Sequence, residues 1–223
     1  MTYSPKKLAV LGRYWTGQGG VNLGVVGDVN HLTGYHLGRD RIYSSTGQGD
    51  DDYSVRHPRD KAGLSGAASA IDLGKLEGNY NKLYAFSRWL VSQGQSGAPG
   101  TGDIREIIYS PDGQQVQRWS GIDNKIHTGP GNGDSSHRTH THISYFGDSE
   151  QRDKVAVFAA YWNGEDDMGL EGGPVSPGEG IGTVRIKAGR GLVNLRTGNA
   201  TVPANAERSS FGRWRLAEPL GEG

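Results

Sequence analysis

The sequence predicts an α+β fold: a small antiparallel sheet with helices packed against it. Three observations carry this. "YNKLYAFSRWLVSQ", residues 80–93, places Leu83, Phe86 and Leu90 on one helical face, with Trp89 beside them. "IREIIYS", residues 104–110, and "QVQRWS", residues 115–120, read as two strands joined by the turn "PDGQ". "THISYF", residues 141–146, has the composition of a further strand.

The helix is expected to end near Gln93, with Gly94 just past its end. "KVAVFAAYW", 154–162, fits helix or strand; its alanines favour helix. The composition then changes. "NGEDDMGLEGGPVSPGEGIG", 163–182, is rich in Gly, Pro and acid and reads as a linker. Beyond it, 183–223 carries Val184 and Ile186 in alternation, then Leu192, Val193 and Leu195, between glycine turns. The expected organisation is a main domain over 1–162, the linker, and a short β-rich C-terminal segment, too small for much core of its own.

Composition narrows the function. Lys+Arg and Asp+Glu are both 24 among 223 residues. A protein with nucleic acid as its main partner usually carries a basic excess, so none is expected here. Nor does the charge invite a membrane surface, and no apolar run is long enough to span one. There are no cysteines, which excludes disulfides, thiolate metal ligands and a cysteine nucleophile. Thirty-seven glycines exceed the roughly 16 that average usage gives. They are not periodic and aromatics are present, so the chain reads as folded and loop-rich. The N-terminal "LAVL" is too short for a secretory apolar region.

The chemistry concentrates in "SSHRTHTHISYF", 135–146. Three of the seven histidines, His137, His140 and His142, fall within six positions. Residues two apart on a strand share a face, so His140 and His142 project together. His137 enters from upstream and can curl over the same site. Neutral imidazole is the commonest metal ligand, and a catalytic zinc keeps three protein ligands and one open position. The plainer reading is three polar residues on an exposed strand.

A carboxylate in a matching context is Asp72, in "SGAASAIDLGK", 65–75. An acid after small and apolar residues is expected to be partly buried and to need a partner, and a metal is one such partner. The alternative is that Asp72 caps a helix or turn after Gly74. Upstream, "GYHLGRDRIY", 34–43, sets His36 between glycines. There the alternative is a hydrogen-bonded loop histidine.

These residues resemble the zinc peptidases of the D-alanyl-D-alanine carboxypeptidase and lysostaphin (LAS) group. "AID" at 70–72 is similar to the end of that group's first motif, and "HTH" at 140–142 to its late H-x-H strand. "HRTHTH" resembles the H-x-x-H-x-H form of the endopeptidase branch. "GYHLGRDRIY", "DYSVRHPRDKAGLSGAASAIDLG" and "HTHISYF" together look like the peptidase domain of actinobacterial phages. The resemblance covers roughly residues 25–150.

It implies Zn2+ held by His36, Asp72 and His142, with His140 and His137 assisting catalysis. The implied reaction is hydrolysis of an amide bond in bacterial peptidoglycan. The setting would be a phage lysin released at lysis, or a virion tail protein with other tail proteins as partners. Arg39, Arg41 and Arg105 are candidates for holding a substrate carboxylate. "VNLRTG", 193–198, resembles part of small wall-binding β-barrels. Two departures stand out. Thirty-six positions separate His36 from Asp72, where the family keeps the pair close, and His57 is nearer, so it competes for the first ligand. Thr139 stands where carboxypeptidase members have an acid, three before the last ligand. Three rival readings follow: a non-catalytic tail or wall-binding protein with a structural metal, another metal hydrolase such as a nuclease, or a metal-free binding module.

Overall fold

A computed structural model describes residues 1–28, 30–44, 48–163, 206–208 and 214–216. The chain divides into two units, Met1–Gly169 and Leu170–Gly223.

The first unit opens with α1 (Lys6–Gly17), whose Leu8, Leu11 and Trp15 recur at helical spacing and are buried. β1 (Gly20–Gly24) follows. A side chain at Gly20 would run into the Trp15 indole, so the tight return from helix to strand requires glycine. After β1 come α2 (Arg39–Ser44), β2 (Ala70–Leu76) and α3 (Tyr80–Ser96). Next are β3 (Ile104–Tyr109), β4 (Gln117–Ser120), β5 (Lys125–Thr128), β6 (Thr141–Tyr145) and α4 (Val155–Asn163).

The six strands form one sheet in the order β1-β2-β6-β3-β4-β5, every neighbouring pair antiparallel. Together with its helices this is the expected α+β class. Side chains alternate between the faces. Ile71, Leu73, Ile107 and Ile143 are fully buried in one cluster with Leu11, Trp15, Phe86, Leu90 and Phe158 from α1, α3 and α4. Each such side chain contributes about 1.5–3 kcal/mol by leaving water. Asp72, Glu106, Ile108, Arg118, His142 and Ser144 occupy the opposite face, following the strand registers. Residues 25–66, with a small core of Leu37, Ile42 and Val55, bring His36 and Asp60 against that face.

One boundary and one alternative reading of a residue differ from the structure. α3 runs to Ser96, and Gly97, at φ 69°, is the left-handed cap. Gly94 lies inside the helix, where a Cβ would stand 2.7 Å from the Trp119 ring. The glycine there serves packing, not termination. Asp72 caps nothing: it sits within β2, and Asn79 caps α3 by accepting from the Asn81 N–H at 2.8 Å. In the second unit, β7 (Ala206–Arg208) pairs antiparallel with β8 (Trp214–Leu216). The expected linker at 163–182, apart from Asn163, and the alternation at 184–195 lie outside the described residues.

Candidate metal centre

The site is built from three chain segments. β2 and β6 pair so that Asp72 stands directly opposite His142. Both side chains rise from the polar face. His36 arrives from the loop after β1, whose last residue, Gly24, pairs with Asp72.

The three side chains meet. His36 Nε2 is 3.0 Å from His142 Nδ1 and 3.2 Å from Asp72 Oδ2, and His142 Nδ1 is 3.0 Å from Asp72 Oδ1. His36 and His142 are buried and Asp72 is partly so. The outer nitrogens of both rings are occupied. His36 Nδ1 donates to the Val25 carbonyl oxygen at 2.7 Å, and His142 Nε2 is 2.7 Å from Ser144 Oγ. A carbonyl can only accept, so neutral His36 carries its proton on Nδ1 and presents a bare Nε2 lone pair to the centre. Such outer partners orient ligating imidazoles. Donors on a tetrahedral ion with bonds of about 2.0–2.1 Å stand about 3.3 Å apart, and the three spacings are close to this. The group can therefore hold a metal ion.

Electrostatics agree. Burial alone would push the Asp72 carboxyl up, but hydrogen bonds and charge from His142 and His36 hold it far below the usual carboxylate range. Burial lowers His36, yet the Asp72 carboxylate and the Val25 carbonyl outweigh it and raise the net value.

The two residues before His36 are held by buried acids. Asp52, buried, accepts from the Gly34 N–H at 3.1 Å and from the Ser54 N–H and hydroxyl at 2.9 and 2.7 Å. Asp60, also buried, accepts from the Tyr35 hydroxyl at 2.9 Å. Both acids come from the stretch that separates His36 from Asp72 in sequence. That insertion does more than loop out: it clamps the two residues before the histidine.

His140 and His137 flank the centre. Their rings lie 4.5 Å apart, and His140 Nε2 is 4.0 Å from Asp72 Oδ1. His137 is 6.0 Å from the His142 ring, and burial, then the His140 and His142 charges, push it down to about 4. It is therefore a neutral imidazole at neutral pH. His57 stands elsewhere, its ring 5.2 Å from Phe146 and its Nδ1 accepting from the Arg59 N–H. Thr139 is exposed, and its hydroxyl donates to the Ser136 carbonyl.

The three arginines are placed differently from the expectation of free carboxylate binders. Arg39 is buried and paired with Glu150 at 3.1 Å. Arg105 is tied to Asp60 at 3.4 Å. A register shift between Ile104 and Glu106 turns both Arg105 and Glu106 toward the polar side, as bulges do. Arg41 reaches the His31 carbonyl at 3.4 Å.

Two participants escape the sequence reading. His31 stands at the rim, its ring 5.7 Å from His36. Ser144 lies one strand period past His142, a signal that was present in "HIS". No family model, no curated protein and no solved structure matches the chain. The fold and site thus define a class only: an α+β protein with a His-Asp-His group that could hold a metal ion.

Proposed function

We propose that the chain is a zinc-dependent peptidase that hydrolyses an amide bond in bacterial cell-wall peptides, encoded by a phage as a lysin or tail-associated enzyme. The observation that carries this is the convergence of His36, Asp72 and His142, with two further histidines beside them. The resemblance of the "AID" and "HRTHTH" segments to wall peptidases supplies the substrate class. Three protein donors are the number a catalytic zinc uses.

Zinc, when bound, supplies a Lewis acid that polarises an amide carbonyl and makes water acidic near neutral pH. The chain's residues do the rest. Asp72 brings negative charge to the ion, and Val25 and Ser144 fix the two imidazoles. His140, nearest to the ligands, accepts the proton of the attacking water. His137, with Nδ1 3.3 Å from the Asp134 carbonyl and its ring 4.5 Å from that of His140, orients His140, which passes the proton taken from water on to the leaving amine.

The test is digestion of purified cell walls by the zinc-loaded protein, read as new amino groups and as peptide masses. Cleavage that stops in His142→Ala and with chelator supports the reading; intact walls after incubation with zinc-loaded protein overturn it. A second reading rests on Thr139, which leaves that position without an acid: a tail or wall-binding protein whose metal is structural. It predicts retention on walls without cleavage.

A further inference from the structure

A cleft of about 360 Å³ lies between the β3–β4 turn, the end of β5 and the 3-10 turn Ser135–Arg138. Its wall is mixed: Gln114, Gln115, Thr128 and Ser135 stand among the apolar Val116 and Pro130. That 3-10 turn also carries His137, which flanks the metal centre. Gly133 lines the cleft, and a Cβ there would come within 3.3 Å of His137 Nδ1. Gly133 therefore belongs both to the cleft wall and to the surroundings of His137.

Arg138 also lines the cleft. Its carbonyl accepts from the Tyr84 hydroxyl at 2.8 Å, which fixes its backbone. Among the described residues its guanidinium has no ionic partner, unlike Arg39, Arg59, Arg105, Arg118 and Arg152. The one acid on the wall, Asp134, is already engaged: it accepts from the Ser136 N–H at 2.8 Å and stands 3.6 Å from His137.

We infer that this cleft is a binding subsite for a carboxylate-bearing peptide, with Arg138 as the residue that takes the carboxylate. The side-chain amides and hydroxyls of the wall offer donors and acceptors to peptide groups. A guanidinium binds a carboxylate in two-point fashion. The inference rests on the peptidase reading, and it moves the role expected of Arg39, Arg41 or Arg105 to Arg138.

The probe is a synthetic wall stem peptide with free carboxylates, beside the same peptide with those groups converted to carboxamides. Hydrolysis and equilibrium binding are both measured, the latter on metal-stripped full-length protein. Arg138→Ala should weaken the acidic peptide about 10- to 100-fold, the loss of one charge-assisted pair, and leave the carboxamide peptide unchanged. Arg138→Lys should recover part of the loss. Carboxylate-dependent binding that needs Arg138, without hydrolysis, would uphold the subsite and sink the peptidase reading. Hydrolysis of both peptides that ignores Arg138 would overturn the subsite and leave the peptidase reading standing, and binding that ignores Arg138 would overturn the subsite whether or not hydrolysis follows.

Discussion

Val25 accepts a 2.7 Å hydrogen bond from His36 Nδ1, so the residue just past the edge strand decides which nitrogen of His36 faces Asp72 and His142. A backbone acceptor cannot be mutated away, which makes this half of the site robust. The other half depends on a side chain, Ser144.

Ser144→Ala removes the group 2.7 Å from His142 Nε2 while leaving the buried strand in place. The expected result is zinc binding weakened about 10- to 100-fold, the usual cost of losing an outer partner. Competition against a fluorescent chelator measures it, with circular dichroism as the check on folding.

Asp52→Ala leaves the buried Gly34 N–H without an acceptor and frees Ser54. A stability loss of about 1–3 kcal/mol follows from the unsatisfied donor alone, measured by urea unfolding of the metal-free protein. Zinc affinity should fall as well, because Gly34 lies two residues before His36.

The metal-free protein has a pH window. His36 is raised in the fold above its ordinary 6.5, so its contribution is complete below that value and is lost as pH rises through the folded value. Asp72 is depressed below its ordinary 3.8, so its contribution is complete above 3.8 and is lost as pH falls. The contribution of the pair to stability is expected to peak between these two ordinary values, as read by thermal unfolding with and without Asp72→Asn. Zinc affinity runs the other way on the basic side: binding releases the His36 proton and strengthens as pH rises.

Gly94→Ala tests the reassigned end of α3. Alanine is the better helix former by about 1 kcal/mol. Here its Cβ would meet the Trp119 ring at 2.7 Å, and overpacking costs about 1–3 kcal/mol. Net destabilisation is expected in thermal unfolding; a stabilised variant would return Gly94 to the role of a tolerated helix glycine.

Much of this fold is legible in local patterns. Leu83, Phe86 and Leu90 mark α3 because a helix packed on one side must repeat its apolar face. The Asp112–Gly113 turn marks the β3–β4 hairpin, since Gly113 adopts φ 82° and Asp112 Oδ1 accepts from the N–H groups of Gln114 and Gln115. α1 is less legible: Leu8, Leu11 and Trp15 recur, but "LAVL" also invites comparison with a leader. β1 carries bulges and exposed residues and has no clean alternation. Asp72 and His142 can be paired only through the strand register, which joins residues seventy positions apart. His31 and the clamping acids Asp52 and Asp60 act through tertiary contacts of a loop, for which the sequence has no period.

The central claim is that His36, Asp72 and His142 hold one metal ion. Elemental analysis of the purified protein, beside His36→Ala, His142→Ala and His57→Ala, tests it most directly. The account predicts about one zinc per chain in the parent and in His57→Ala, and none in the other two. Parent protein that neither carries zinc nor takes it up from micromolar solution would contradict it.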